Sequence, residues 1–391
     1  MTLVDFPFMP TIYFRTMKAS RIFPGLTVCF TLTACCAAAQ AQPKPVMAEQ
    51  YFKNVQALKG ISVAEFMATM GFISASLGET CTDCHAAESA GNWDRYADDT
   101  PRKQTARKMI VMVSAISRTY FGGQRVVTCY SCHRGGDRPK VTPSLAELYG
   151  PPPSDEPDAF VSDGPASPTA DQVLDKYLAA AGGAERLAAL TSFVAKGTYK
   201  GFSDPDQRPL EIYAKTAGPN GAERATIVHT PGGDTITTYS SRGAWTAAPA
   251  LYSPMPVSEL SGGDRDGARL DAELAFPARI REALKQWRVG YPAMIDGRAV
   301  QLVQASMDGR YPVNLYFDSK SGLLVRQVRY ADSKLGLSPT QIDYSDYRDV
   351  AGVKMPFRWT VSWLDGRATT ELSEVQPNVR IDPAKFDRPK P

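Results

Sequence analysis

Two pentapeptides organise the first half of this chain: Cys81-Thr82-Asp83-Cys84-His85 and, 48 positions later, Cys129-Tyr130-Ser131-Cys132-His133. Cys-x-x-Cys-His is the attachment motif of c-type haem. Its two thiols can form thioether bonds to the two vinyl groups of one porphyrin, and the adjacent imidazole can then bind the iron. The sequence therefore predicts two covalent haems. Their attachment residues are Cys81, Cys84, Cys129 and Cys132, and their histidine ligands are His85 and His133.

Paired cysteines also occur in zinc sites, redox-active pairs and structural disulfides. Four cysteines could form a tetrahedral zinc site, but a zinc ribbon does not explain why a histidine directly follows each pair, and the interval between the pairs is longer than usual. A thioredoxin-like redox pair or structural disulfides are the remaining alternatives. Haem attachment accounts best for four of the seven cysteines and two of the three histidines.

The amino-terminal residues predict export from the cytoplasm. A short basic region at Met17–Arg21 precedes an apolar run, Ile22–Thr33, and a small-residue tract, Ala37–Ala41. This order is typical of a secretory signal peptide over residues 17–41, with residues 1–16 as a mis-assigned upstream extension. The apolar run is too short to span a bilayer. We therefore expect a periplasmic protein.

A lipoprotein signal competes with ordinary cleavage. Leu32-Thr33-Ala34-Cys35 resembles the bacterial lipobox, in which lipidated cysteine becomes the mature amino terminus. Cleavage after Ala41 would give a soluble protein, whereas cleavage before Cys35 would give a membrane-anchored one. Both forms remain open.

Composition predicts two halves of different structure. Residues 150–168 are proline-rich, acidic and without hydrophobic periodicity, as expected of an extended linker. They separate a mostly helical region, residues 45–149, from a mostly β region, residues 169–388. The predicted fold class is therefore α+β. The formal net charge of +3 over 391 residues does not indicate nucleic-acid binding.

Each haem motif follows a predicted helix and a loop. Ser62 and Glu65 form a capping box for a helix that runs to about Leu77. A second helix begins after Thr100 and ends near Phe121. The pattern of helix, loop and Cys-x-x-Cys-His therefore occurs twice.

Alternating residues and regular turn signals predict an antiparallel sheet in the second half. Phe357–Trp363 is apolar at every odd position and polar at every even one, which is typical of a strand with one buried face. Residues 313–317 and 324–330 are further strands. We expect a curved sheet, or half-barrel, around one or two helices, at Asp171–Ala181 and about Pro277–Trp287.

Methionines are the available sixth ligands for the irons. His229 is the third histidine and lies in the β half, where a polar, partly exposed strand position is its expected role. The two irons therefore cannot both be bound by two histidines of one chain. The first helix offers Met67 and Met70, and the second offers Met109 and Met112. On the residues alone, all four could instead fill the core.

An ordered series of strings over residues 46–143 resembles one two-haem portion of the cytochrome c subunit of the photosynthetic reaction centre. The resemblance implies that Met70 and Met109 of this chain are axial ligands of the haem irons. It also implies that a reaction centre is the redox partner. The chain departs from the family because that subunit carries four haems and this chain has two motifs. Besides the motifs, the strings are Tyr51–Leu58, Ala64–Met70, Ala106–Met109 and Val127–Gly135.

The second half more loosely resembles the half-barrels of outer-membrane lipoprotein carriers. The resemblance implies an apolar cavity for a lipid or another amphiphile. It depends on three short strings, Leu315–Asp318, Ser321–Arg326 and Gly352–Phe357.

The sequence thus predicts a periplasmic dihaem c-type cytochrome that transfers single electrons and is not an enzyme. A general carrier with protein redox partners is favoured over a photosynthetic subunit, because a β region replaces the second haem pair. One alternative is a dihaem peroxidase, which needs an open sixth position. The other is a β module that binds a hydrophobic ligand and carries a redox haem domain.

Overall fold

The computed structural model describes residues 45–149, 168–201, 206–307 and 311–390. The predicted extension, the signal peptide with Cys35, and the linker up to residue 167 lie outside the described residues. Pro45–Pro391 form one compact unit. In the described part of the chain, no helix is both long and apolar enough to cross a membrane.

The first half is helical, as predicted. Ser62 Oγ accepts a hydrogen bond from the Glu65 backbone N–H at 3.1 Å and so caps the first long helix. Thr100 Oγ1 caps the second by accepting from the Lys103 N–H at 3.1 Å. Short 3-10 segments follow the first motif at Ala87–Ser89 and Trp93–Ala97. The helices are α1 (Ala48–Tyr51), α2 (Val63–Leu77), α3 (Cys81–Cys84), α4 (Pro101–Tyr120), α5 (Cys129–His133) and α6 (Leu145–Tyr149).

The second half is an open antiparallel sheet. The strands β1 to β6 follow one another as neighbours, and so do β7 to β13, so that β6 and β7 are the two edges. The first strand, β1, pairs with the last, β13, and both therefore lie in the middle of the sheet. Among the described residues the strands are β1 (Ser192–Lys200), β2 (Arg208–Thr216), β3 (Ala222–Thr230), β4 (Gly233–Ser240), β5 (Gly243–Ala247), β6 (Val257–Glu259), β7 (Lys285–Ile295), β8 (Arg298–Ser306), β9 (Pro312–Asp318), β10 (Leu324–Asp332), β11 (Leu337–Val350), β12 (Val353–Trp363) and β13 (Gly366–Pro377).

Helices cover one face of this sheet and build its main core. Val313, Leu315 and Phe317 of β9 point into that core, whereas Tyr316 joins a smaller cluster on the opposite face. This alternation is what a strand's two-residue period requires. The covering helices are α7 (Ala170–Ala181), α8 (Ala184–Ala189), α9 (Gly262–Leu274) and α10 (Ile280–Ala283).

One helix predicted for this half is shorter than expected. The helix expected over Pro277–Trp287 ends at Ala283, because Leu284 is extended and Gln286 has a positive φ at a β-bulge, so Trp287 lies in β7. The thirteen-residue helix α9 was not predicted. A Cβ at Gly263 would lie 2.4 Å from the Ala331 Cβ, so glycine there permits close packing of α9 on β10.

The sheet half also inserts into the helical half. The turn between β10 and β11 places Leu335, which is 4% exposed, in a buried cluster with Phe72 of α2. At the same turn, the Lys334 N–H donates to Thr69 Oγ1 at 3.2 Å. Arg125 pairs with Asp332 at 2.5 Å. The sheet half and the helical half are therefore in direct contact through a buried cluster, a hydrogen bond and an ion pair.

Candidate haem sites

Both Cys-x-x-Cys-His motifs form a single helical turn of the same design. Thr80 precedes the first turn, and its N–H donates to the Asp83 carboxylate at 2.6 Å. Thr128 precedes the second, and its N–H donates to Ser131 Oγ at 3.0 Å. In each case the last residue between the two cysteines receives the bond, a local arrangement that satisfies a free donor at a helix start.

The two histidines are anchored in the same way. His85 Nδ1 lies 3.2 Å from the Tyr96 carbonyl oxygen, and His133 Nδ1 lies 3.0 Å from the Gly136 carbonyl oxygen. A carbonyl oxygen only accepts, so Nδ1 carries a proton, and in the neutral imidazole the lone pair is then at Nε2. This is the outer contact by which metal-binding histidines fix their tautomer and orientation.

A cavity of about 680 Å³ lies beside the first motif. Its volume is within the roughly 300–1,000 Å³ of small-molecule and cofactor sites. The predicted residues Cys81, Cys84, His85 and Met70 all line it, together with Met67. The structure therefore brings the first predicted ligand set together but does not by itself choose between the two methionines.

Helix α2 supplies the apolar wall of this cavity. Phe66, Met70, Ile73 and Leu77 line it and recur at helical spacing, as the sequence predicted. Helix α2 also packs on the sheet half, where Phe72 and Leu335 share a buried cluster.

Cations and aromatic rings surround His85. Lys103 donates to the Tyr96 carbonyl at 2.7 Å, and Arg107 pairs with Asp99 at 2.8 Å. Burial, together with the nearby Lys103 ammonium, lowers the pKa of His85, so the imidazole is held in the neutral form that binds metals. The Tyr96 ring lies 4.8 Å from the imidazole, centroid to centroid.

The second motif packs against the end of α2. The Gly135 N–H donates to the Ser76 carbonyl at 2.9 Å. A Cβ at Gly78, where φ is +66°, would lie 2.5 Å from the Gly135 carbonyl oxygen, so this crossing requires glycine. Arg102 pairs with Glu79 at 2.9 Å and approaches Asp137 to 3.9 Å. The two motifs are therefore neighbours at one end of α2.

The ligands predicted for the second haem lie on two helices in contact. Met109 is on α4, and Cys129, Cys132 and His133 are on α5. Met109 is partly buried, while Met112 is 43% exposed. Neither methionine lines the 680 Å³ cavity, so α4 directs them away from the first site.

The alternatives to haem and the role of His229 can also be compared with the structure. The four motif cysteines are free thiols. Among the described residues, no three His, Cys, Asp or Glu side chains gather as a metal site, so the zinc alternative has no counterpart in this part of the chain. His229 lies on β3, is partly exposed and contacts Asp234 at 2.8 Å, as expected for a polar strand residue.

Sequence reasoning missed the carbonyl acceptors of Tyr96 and Gly136 and three cavity residues from the sheet half. A backbone acceptor leaves no residue-type signal. The sheet residues, Ala250, Leu251 and Pro254, lie in a segment without any motif. Trp93 and Tyr96 also line the cavity, and the sequence does give a signal for them, since aromatic side chains commonly line ligand pockets.

A second cavity, of about 360 Å³, lies between the sheet and α9. Its lining is mixed in character. Val228, Val361 and Trp359 are apolar, whereas Arg224 and Asp271 are charged. Burial lowers the pKa of Arg224, and its Nη1 donates to the Asp271 carbonyl at 3.0 Å.

The first half thus holds two Cys-x-x-Cys-His turns of the same design, and the sequence comparisons fall on this same segment. Residues 30–147 match the family model described as photosynthetic reaction centre cytochrome C subunit. The cytochrome c subunit of Thermochromatium tepidum is 38% identical over 97 residues, 24% of this chain and 23% of the relative. That of Rubrivivax gelatinosus is 36% identical over 98 residues, 24% and 25% of the two chains. The chain therefore spans about a quarter of these relatives' length, and the predicted resemblance is confirmed for this segment.

Solved structures similar to part of the chain have TM-scores below 0.5. A LolA superfamily protein from Nitrosomonas europaea has a TM-score of 0.39 and 16% identity, and the match covers 57% of this chain and 99% of that one. A DUF1329 family protein from Desulfovibrio piger has a TM-score of 0.41 and 12% identity, covering 56% and 98%.

Proposed function

We propose that residues 45–149 bind two c-type haems covalently and that the protein transfers single electrons in the periplasm. One observation carries the proposal: two turns of the same design each hold a histidine by a carbonyl at Nδ1 and leave Nε2 free for iron. When bound, haem iron supplies a one-electron redox centre. The names of the relatives matched by this segment support the same class.

The chain's residues would hold the cofactor rather than take part in bond chemistry. The paired thiols of each motif would attach the porphyrin, and each neutral imidazole would bind from one side. At the first site, Met70 is proposed as the ligand on the other side, with Met67 as the alternative lining the same cavity. At the second, Met109 is proposed over Met112, because the latter is 43% exposed.

This arrangement favours a carrier over a peroxidase. A peroxidase needs one axial position open to its substrate. The thioethers of Met67 and Met70 line the His85 cavity, so a sixth ligand for the iron is available there. The same permanent ligands in both oxidation states keep the structural change on electron transfer small.

Protein redox partners are proposed, with a general periplasmic role favoured over a photosynthetic one. The matched relatives are named as reaction-centre subunits, but the match covers about a quarter of their length. Flash-induced haem oxidation in native membranes would reverse this preference, and a host genome without reaction-centre core polypeptides would support it.

An amphiphile is proposed as a ligand of the second cavity. Its apolar valines and Trp359 lie beside the partly buried Arg224 guanidinium, a lining that suits an apolar chain with a polar or anionic end. Organic extraction of the purified full chain followed by mass spectrometry tests this. A defined lipid released in stoichiometric amount supports it, and an empty cavity contradicts it.

The experiment that tests the main proposal is the haem count. Pyridine haemochrome absorbance per mole of polypeptide, measured after acid–acetone extraction, should give two haems that resist extraction. The Cys129→Ala/Cys132→Ala variant should retain one covalent haem, and Cys81→Ala/Cys84→Ala should retain the other. Extractable haem, or zinc without haem, would contradict the proposal.

A further inference from the structure

The cavity beside His85 is completed by the sheet half of the chain. Ala250, Leu251 and Pro254 line it, and they belong to the loop of residues 248–256 between β5 and β6. We call this segment the 248–256 loop. The predicted haem residues lie in a different part of the sequence, so the wall that this loop forms arises only on folding.

Two hydrogen bonds hold the 248–256 loop on the helical half. Trp93 Nε1–H donates to the Ala250 carbonyl at 2.6 Å, and the Tyr51 O–H donates to the Pro254 carbonyl at 2.5 Å. Both donors also line the cavity. The loop is therefore fixed at two points, to the same rings that border the site.

The loop also has hydrogen bonds within itself. The Ala248 N–H donates to the Pro256 carbonyl at 3.1 Å and closes the base of the loop. The Tyr252 N–H donates to the Pro249 carbonyl at 2.9 Å, which makes a tight turn at the tip. These bonds restrict the conformations open to the loop.

Leu251 sits at this tip with 62% of its surface exposed although it lines the cavity. An apolar side chain in that position lies at the mouth of the cavity, where it displaces water. Tyr130 in the second motif is 53% exposed and does not line this cavity, nor does any other residue of that motif. The two motifs, alike in their local turns, therefore have different surroundings.

We propose that the 248–256 loop is a functional wall of the His85 haem site that excludes water from it and makes the two haems inequivalent. This inference rests on the proposed function. A ferric haem carries one more positive charge than a ferrous one, and a drier, less polar environment disfavours the more charged state. The His85 haem is therefore the one with the higher midpoint potential, and the sheet half is a determinant of that potential.

The test uses two variants of the full-length holoprotein. Leu251→Ala shortens the side chain at the mouth, and Tyr51→Phe/Trp93→Phe removes both donors that seat the loop while keeping aromatic rings. Met294→Ala is the matched control, since Met294 is a 66% exposed apolar residue on β7. Spectroelectrochemical titration gives both midpoint potentials, and stopped flow gives the rate of reduction by ascorbate.

In both variants one potential should fall, and the same haem should be reduced more slowly because the driving force falls with its potential, while the other haem and the Met294→Ala protein keep wild-type values. The Cys129→Ala/Cys132→Ala protein identifies the affected haem as that of His85. Hydrogen–deuterium exchange of residues 248–256 should accelerate in Tyr51→Phe/Trp93→Phe. Two haems with unchanged potentials and rates, or with equal shifts in both, would contradict the proposed role of the 248–256 loop. The proposal of a dihaem electron carrier would be unaffected. A protein without covalent haem overturns the proposed function as well.

Discussion

Replacing Leu335 with alanine tests whether the two halves of the chain are one folded unit. Leu335 is 4% exposed in the turn between β10 and β11, and it lies in a buried cluster with Phe72 and Ile110 of the helical half. The turn is held in place by the Lys334 N–H bond to Thr69 Oγ1 at 3.2 Å. A residue of the sheet half thus contributes to the core beside the haem motifs.

The expected loss of stability follows from the atoms removed. Three buried carbon groups at about 0.8 kcal/mol each give roughly 2.4 kcal/mol of transfer free energy. The fixed turn cannot collapse fully into the space, and measured Leu→Ala losses in cores run from about 2 to 5 kcal/mol. We expect Leu335→Ala to lower the free energy of unfolding by about 3 kcal/mol.

Urea unfolding of the holoprotein provides the assay, with two probes. Haem absorbance reports on the helical half, and tryptophan fluorescence reports chiefly on the sheet half, which holds four of the five tryptophans. Both midpoints should move down together. Leu145→Ala, at a 70% exposed leucine, should change stability by less than about 0.5 kcal/mol. A loss below about 1 kcal/mol, or a shift confined to the fluorescence midpoint, would refute the coupling of the halves.

Three further predictions concern the ligand, the sheet core and α9. Met70→Ala should open the His85 haem to carbon monoxide in the reduced state and lower its potential, whereas Met67→Ala should not; the reverse result would exchange their roles. Expressed alone, residues 169–391 should keep a β-type circular dichroism spectrum without haem, because the main core is built entirely from that half; an unfolded spectrum would show that the helical half is required. Glu273→Ala should cost about 3 kcal/mol or more in urea unfolding, since Glu273 is buried and pairs with Arg279 at 2.5 Å. Glu282→Ala removes a 63% exposed partner of the same arginine and should cost under about 1 kcal/mol.

The local chemistry of both haem motifs could be predicted from sequence. The turns at Cys81–Cys84 and Cys129–His133 depend on residues within five positions of one another, so their pattern is complete in the printed sequence. Helix starts at Ser62 and Thr100 were predicted for the same reason, because a cap bonds to a backbone N–H three residues on.

Strands were predicted correctly where the two-residue period of apolar residues is clear. Where that period is not clear, a strand was taken for part of a helix. Phe357–Trp363 alternates and lies in β12. Over Pro277–Trp287 the apolar residues also fit a helical period, but pairing of β7 with β8, across a bulge, decided the outcome. Helix α9 depends on a glycine that lets it approach Ala331, some 70 residues away, and nothing in its own sequence carries that information.

The sequence by itself determined the two Cys-x-x-Cys-His turns, the helix caps and the antiparallel character of the second half, since each depends on neighbours along the chain. Only the tertiary structure decided which carbonyl anchors each histidine, that Met67 and Met70 share a cavity, and that Leu251 and Leu335 of the sheet half reach the helical half. The physical reason is the distance along the chain between the residues that interact. Hydrogen bonding within a turn is set over a few residues, whereas a cavity wall and a buried cluster require surfaces that meet only when distant segments pack.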